Sequence, residues 1–401
     1  MAEHEVRVLG EDELHEANTV FRGSILKPPM SDSQWEIVRS FYPPGRTLGV
    51  RSGKELVGTA LSLLTPMTVP GARGVPHAAV TGVGVRADHA RRGVASALMR
   101  AQLTAAAEEG LCLASLRASE AVIYGRFGYG VATRGRKLEV RRERASLRPE
   151  APRTGQVRQV AAAELEAVVE SVYRRTRADR PGWLERDRHY WALARMYAHL
   201  GQENLWAAVH TGPDGDDGYV LYTLNPQGPV LGRKLEVEDL HWGNPGALAG
   251  LWRYLLGIDL VTHVLADLMP LDLPLELLLT DRAAASTTAV KDETWLRLTD
   301  VGAALAARSY GPGEPVVLGV RDAFLPANTG NYRIGPDGAE RTSAEAQLSL
   351  DVDTLAMLYL GNQSPSALAA AGLVSVHDPA ALARADRLCQ VPEVPWSGSY
   401  F

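Results

Sequence analysis

The stretch AVTGVGVRADHARRGVASALMRAQL, residues 79–103, decides how the rest of the chain is read. Its first seven residues are apolar or small, with β-branched Val80, Thr81, Val83 and Val85, which is a strand pattern. From Val94 the apolar residues Val94, Leu98, Ala101 and Ala105 recur at helical spacing, and Gly110 supplies a C-terminal stop. Between strand and helix lie Arg91, Arg92 and Gly93. The first N–H groups of a helix have no partner within it, and the positive end of the dipole points the same way, so a pyrophosphate fits there. Gly93 and Ala95 leave room for phosphate oxygens beside the backbone, and the two arginines add charge. GVGVRA (82–87) also matches the G-x-G-x-x-A pattern of dinucleotide-binding folds. Its glycines fall inside the strand, however, and the next strand presents no acidic residue about 20 positions on, so the nicotinamide reading is set aside.

Working outward, ELVGTALSLL (55–64) and LCLASLRA (111–118) read as further strands. RRERASLRPEAPRTG (141–155) is charged, carries Pro149 and Pro152, and reads as a linker or exposed connection. A similar order then returns. A helix over AAELEAVVESVYRR (162–175) precedes strands at GYVLYTL (218–224) and RKLEVEDLHW (233–242), and Asn244 and Pro245 form an N-cap and first position for a helix over ALAGLWRYLLG (247–257). GPDGDDG (212–218) reads as a hairpin turn. The pattern changes from ETWLRLTD (293–300) onward, to an α+β unit whose last helix has Asp378 as N-cap and Pro379 in its first turn.

Composition narrows the function. With 401 residues, 46% of them hydrophobic, the chain is long enough for two or three cored domains. A net charge of −5 gives no general attraction to nucleic acid or anionic membrane. The two cysteines, Cys112 and Cys389, and the ten histidines show no metal-ligand spacing, so no metal is expected. MAEHEVRVLGEDELHE (1–16) is acidic and lacks an apolar core, and no uncharged apolar run approaches the roughly 20 residues of a membrane span, so the expectation is a cytoplasmic protein. The chain ends in PWSGSYF (395–401). Last residues usually fray, and burying an aromatic end draws its carboxylate inward at a cost unless the charge is used or paired.

ARRGVA (90–95) resembles the acyl-coenzyme A loop of the GNAT acetyltransferases, Q/R-x-x-G-x-G/A, with Ala90 departing at the first position. ASEAVIYGRFGYGVAT (118–133), above all IYGRFGYG, resembles the Eis ("enhanced intracellular survival") family of acetyltransferases, and ETWLRLTDVGAALAARSY (293–310) resembles the start of that family's third domain. The aromatic C-terminal residue is another family hallmark. The resemblance implies a mixed α/β (α+β) fold. It would comprise a catalytic GNAT domain over 1–145, a degenerate second GNAT domain over 146–292, and a sterol-carrier-like domain over 293–401.

It also implies roles. Val83, Gly84 and Val85 would hold the pantetheine arm and acyl oxygen of acetyl-coenzyme A, and Arg91, Arg92, Gly93, Val94, Ala95 and Ser96 its pyrophosphate. Ser119 and Glu120 would touch the cofactor from the adjoining strand, although Glu120 also reads as a simple helix-start charge. Tyr124 would be the general acid, since a phenol with a reference pKa near 10 stays protonated at neutral pH; Tyr124 also reads as a packing aromatic, as Tyr129 and Phe127 do. The α-carboxylate of Phe401 would be the general base. Its reference pKa is roughly 3.5, so it needs either desolvation or a water acting on an amine already partly deprotonated. Phe21 and Trp35 suit the walls of an amine pocket or a core, with Tyr400 beside the base.

The leading expectation is an acetyl-coenzyme A dependent N-acetyltransferase acting on primary amines of small molecules, with aminoglycoside-like amines and lysine side chains as further candidates. The 47 acidic against 42 basic residues weakly favour a cationic acceptor. A protein-lysine acetyltransferase and a non-catalytic carrier of an apolar ligand are the alternatives. By the same resemblance the protein would be a homo-oligomer, a hexamer.

Overall fold

A computed structural model describes residues 4–176, 179–191, 205–224 and 232–401. The chain divides into two compact units, one of Met1–Thr133, Asp179–Leu193 and Asp292–Phe401, the other of Arg134–Ala178 and Ala194–Lys291. Among the described residues they contain three sheets.

In the first unit, β1 (Val6–Val8), β2 (Thr47–Ser52), β3 (Glu55–Val69), β4 (Arg73–Val85), β5 (Leu113–Leu116) and β6 (Gly130–Val131) belong to one seven-stranded sheet. Helices α1 (Leu14–Ser24) and α2 (Asp32–Val38) follow β1, α3 (Val94–Glu108) joins β4 to β5, and the one-turn α4 (Ala121–Tyr124) follows β5. Because α3 crosses between them, β4 and β5 pair in parallel, from His77 opposite Leu113 to Val80 opposite Leu116. The seventh strand is Trp295–Leu298, inserted between β5 and β6 and antiparallel to both. These residues, expected with the third domain, lie in the first sheet, where all four are buried between two partner strands, Leu296, Arg297 and Leu298 completely.

Helix α3 starts and stops where the pattern indicated, with Gly110 left-handed (φ +75°) just past its end. Its buried face differs in part from expectation. Val94 and Leu98 are buried, but Met99, Leu103 and Ala106 complete the face, while Ala101 and Ala105 are only half-buried. The larger side chains win the core side, since each fully buried Leu or Met contributes roughly 1.5–3 kcal/mol and an alanine far less.

The second unit holds β7 (Arg134–Arg141), β8 (Gln156–Gln159), β9 (Leu205–Gly212), β10 (Gly215–Leu224), β11 (Arg233–Trp242), β12 (Val261–Pro270) and β13 (Ala285–Asp292), in the order β13-β7-β12-β11-β10-β9-β8. GPDGDDG is the turn of the β9–β10 hairpin. Helices α5 (Leu165–Arg175) and α6 (Pro245–Gly257) pack on this sheet, α6 through fully buried Leu251, Trp252 and Leu255. Asn244 caps α6 as expected, its Oδ1 accepting from the Ala247 N–H at 2.9 Å. Residues 141–155 are not a loose linker. Ala145 and Ala151 are buried, and the Arg148 N–H donates to the Leu278 carbonyl at 2.8 Å. Small apolar residues between the charges give this segment a foothold on the core.

With Trp295–Leu298 as β14, the third sheet, again in the first unit, comprises β15 (Val316–Arg321), β16 (Gly330–Gly335), β17 (Gly338–Thr342), β18 (Leu348–Asp351) and β19 (Val374–Val376), in the order β17-β16-β15-β18-β19. Helices Val301–Ala307, Val352–Tyr359, Pro365–Ala370 and Pro379–Cys389 accompany it, and Asp378 caps the last through the Ala380 N–H at 2.9 Å. A fully buried ion pair, Arg297 Nη2 to Asp322 Oδ2 at 2.5 Å, ties β14 to the loop after β15.

Candidate active site

The site grows from a defect in β4. Thr59 pairs with Gly84 and Leu61 with Thr81, so Ala60 alone faces both Gly82 and Val83. The extra residue is a β-bulge, and Gly82 at φ +59° provides its left-handed backbone. Pairing with β5 stops at Val80, and beyond it β4 runs on through Val83, Gly84 and Val85. Helix α1 lies against this segment. A Cβ on Gly84 would sit 2.8 Å from Phe21 Cα and 2.7 Å from Ser24 Oγ, so only glycine admits the approach. The structure thus brings Phe21 together with Gly84.

At the end of β4 the loop alternates backbone hand. Arg91 is left-handed at φ +61° and Gly93 at φ +91°, and Gly93 is the N-cap of α3. No side chain caps this helix; its first internal bond runs from the Ala97 N–H to the Gly93 carbonyl at 3.0 Å. The N–H groups of Val94, Ala95 and Ser96 are thus left for a ligand, in a concavity of the kind that holds anions. Arg91, Arg92 and Ser96 are exposed around it. His4 Nε2–H donates to the Arg92 carbonyl at 2.8 Å, so that oxygen already has a partner. The residues present therefore fit a pyrophosphate.

The second sheet offers a contrast. Between β11 and α6, the Asn244 side chain and Pro245 occupy the helix start, and Thr154 Oγ1 fills the place of a Cβ on Gly246. One N–H is missing, one is capped and the approach is blocked, so this turn cannot serve a phosphate.

Ser119 and Glu120 are exposed after β5, and Glu120 precedes α4 without capping it. Tyr124, at the end of α4, is buried with its ring edge-on to Tyr129, centroids 6.1 Å apart at 72°. Burial, then the nearby Glu120 charge, raises the Tyr124 phenol above its usual value. Two signature glycines are forced by packing. A Cβ on Gly128 would lie 2.8 Å from the Arg297 guanidinium carbon, and one on Gly130 would lie 2.0 Å from the Asp353 carbonyl. Trp35 is half-buried, stacked on His15 of α1 at 5.0 Å and 5.3 Å from the Tyr42 ring. Burial pushes the Tyr42 hydroxyl up to about 12, against a hydrogen bond from Asn18 that lowers it. Among the described ring contacts Tyr124 meets none of Phe21, Trp35 or Tyr400.

The C-terminal tail is docked. Phe401 is 7% exposed, whereas Tyr400 is 56% exposed. Arg117, at the end of β5, donates to the Ser399 carbonyl from Nε at 3.1 Å and from Nη2 at 2.5 Å, and its guanidinium carbon lies 5.3 Å from the Tyr400 ring centre. Glu293 accepts the Ser397 and Gly398 N–H groups at 3.1 and 2.9 Å. Arg186 donates from Nη2 to the Gly398 carbonyl at 2.6 Å and from Nε to Ser399 Oγ at 3.0 Å. Sequence reading did not find Arg117, Glu293 or Arg186. Arg117 alone carried a signal, as a charge ending an apolar strand. Among the described residues no group of three or more His, Cys, Asp or Glu is placed to hold a metal, and no helix is long and apolar enough to cross a membrane.

Comparison with known proteins bears on all three sheets. Residues 5–132 match a family profile described as an acetyltransferase (GNAT) domain, residues 182–298 a second such domain, and residues 301–398 a sterol carrier protein domain. The chain is 36% identical to an uncharacterized N-acetyltransferase of Streptomyces avermitilis, covering 98% of each. It is also 36% identical to the N-acetyltransferase Eis of Mycobacterium tuberculosis, covering 89% of each. The crystal structure of Eis1 from Mycobacterium abscessus aligns with a TM-score of 0.90 at 37% identity, over 99% of this chain and all of that one.

Proposed function

We propose, given that the chain belongs to the Eis family of GNAT N-acetyltransferases, that it transfers the acetyl group of acetyl-coenzyme A to primary amines of small molecules. The observation that carries this reading is the uncapped start of α3 behind left-handed Arg91 and Gly93, at the end of a strand that is bulged against β3 and runs on past its pairing with β5. Acetyl-coenzyme A supplies the activated acyl group. Val83, Gly84 and Val85 would bind its pantetheine arm along the β4 edge. Arg91 to Ser96 would bind its pyrophosphate, with Ser119 and Glu120 beside it. Tyr124 would hold a proton for the departing sulfur, and burial keeps that proton in place at neutral pH. The Phe401 carboxylate would take the proton from the amine, and Phe21, Trp35 and Tyr400 would wall the acceptor site.

Of the alternatives, the apolar carrier is disfavoured by the third sheet's core. Leu318, Leu348, Leu350, Leu358, Val374 and Cys389 surround a void of only about 10 Å³, room for roughly one water, and the cavity of about 470 Å³ on the same sheet is lined by polar Arg321, Thr329, Asn331, Ser349 and Asp351, which do not suit an apolar cargo. We further propose that the protein works in the cytoplasm as a homohexamer, on the strength of family membership alone.

The test is thiol release from acetyl-coenzyme A with kanamycin, spermidine, histamine and a lysine-containing peptide. Release with at least one free amine is expected. Release with the peptide alone would overturn the small-molecule assignment, and release with none would overturn the acceptor class.

A further inference from the structure

We propose that Glu293 is the positioning residue of the C-terminal tail, the fixed point from which the Phe401 carboxylate is aimed. This rests on the reading that Phe401 supplies the base. The Glu293 side chain is fully buried. Its Oε1 accepts the Gly398 N–H at 2.9 Å and Arg117 Nη2 at 3.2 Å; its Oε2 accepts the Thr133 hydroxyl at 2.8 Å and the Ser397 N–H at 3.1 Å. Four donors converge on two oxygens, filling the capacity of a carboxylate. No other side chain of that size is acceptor-only. A glutamine would turn one oxygen into an NH₂ group facing existing donors.

Arg117 shares its charge between Glu293 and the Ser399 carbonyl, so the same carboxylate also orders the next tail residue. Arg186 holds the Gly398 carbonyl and the Ser399 hydroxyl. The tail is shaped for this seat: Gly398 is left-handed at φ +62°, and a Cβ there would lie 2.5 Å from the Trp396 ring. A buried carboxylate is a poor way to gain stability, because desolvation offsets most of what its partners return. Its distinctive contribution is direction. The tail's backbone is fixed through Ser399, two residues before the reacting carboxylate. An error on the order of 1 Å in a reacting group costs roughly 10²-fold in rate.

The test compares full-length wild type with Glu293→Gln, using the fastest amine of the panel above. The expected result is a kcat lower by about 10²-fold with KM and calorimetric affinity for acetyl-coenzyme A unchanged. Carboxypeptidase A should also release Phe401 at least about tenfold faster from the variant, since the seat no longer holds the tail. Combined with deletion of Phe401, Glu293→Gln should cost nothing more than the deletion alone. Wild-type protection of Phe401, or independent losses in the combined variant, would overturn the proposal. Should deletion of Phe401 leave turnover intact, the base assignment fails, and the protease rates still decide whether Glu293 holds the tail. Should Glu293→Gln not fold, Gly398→Ala, confined to the tail, must give the same split between kcat and KM.

Discussion

At Tyr124, burial reinforces the protonation state that the proposed chemistry needs. Desolvation raises the phenol, and the Glu120 charge adds to the effect. The acid form therefore persists through neutral pH and is lost only above the ordinary phenol value near 10. Tyr124→Phe should lower kcat by roughly 10²–10⁴ while leaving acetyl-coenzyme A affinity unchanged, as measured by steady-state kinetics and calorimetry. His77 gives a second prediction, on stability. It is fully buried between the Thr65 carbonyl, to which its Nδ1–H donates at 2.5 Å, and the Ser115 hydroxyl, from which Nε2 accepts at 2.9 Å. Burial lowers it from 6.5 to about 4. The unfolded chain therefore binds this proton first as pH falls. Stability is intact above pH 6.5 and falls between there and pH 4, by about 3 kcal/mol at most. Melting curves across that range should show the loss, and His77→Gln should flatten it. Tyr124 was legible in IYGRFGYG as a motif, but its burial was not, because the core cluster it joins also draws on Trp295 and Phe324, far along the chain.

Among the elements, the start of α3 and the start of α6 show how one strand-to-helix turn keeps or loses a phosphate site. The first has a left-handed glycine and free N–H groups; the second has a capping Asn244, a proline and a plugged Gly246. Gly93→Glu should abolish acetyl-coenzyme A binding in calorimetry. It sets a carboxylate where the pyrophosphate charge belongs and forces a side chain into φ +91°, which costs roughly 1–2 kcal/mol. Gly93→Ala, strained but uncharged, should bind more weakly than wild type and better than Gly93→Glu. These element ends were readable because capping is local: Gly110, Asn244, Pro245, Asp378 and Pro379 all act within a turn of where they stand. The bulge at Gly82–Val83 was hidden, since a register shift is a property of two strands and β4 alone reads as regular.

On the scale of the whole molecule, chain order and spatial order part company. The first sheet is completed by Trp295–Leu298, and its unit also takes in residues 179–191 and the third sheet. A local reading cannot see this, because Trp295–Leu298 looks like any short apolar strand until its partners, 164 to 185 residues earlier, are known. A fragment of residues 1–145 should therefore fail to fold alone. It leaves β5 with an unpaired apolar edge, and gel filtration and circular dichroism should find aggregate or disordered chain. The tail seat has the same character, with Ser397 and Glu293 104 residues apart.

The proposed base is the carboxylate at the chain's end. The most direct measurement is the single-turnover acetyl-transfer rate of the chain ending at Tyr400. Removing Phe401 draws the carboxylate back by about 3.5 Å, one extended residue. The predicted result is a chemical step slower by at least roughly 10²-fold, with acetyl-coenzyme A affinity unchanged and the fold retained. A wild-type rate from that shortened chain would contradict the claim.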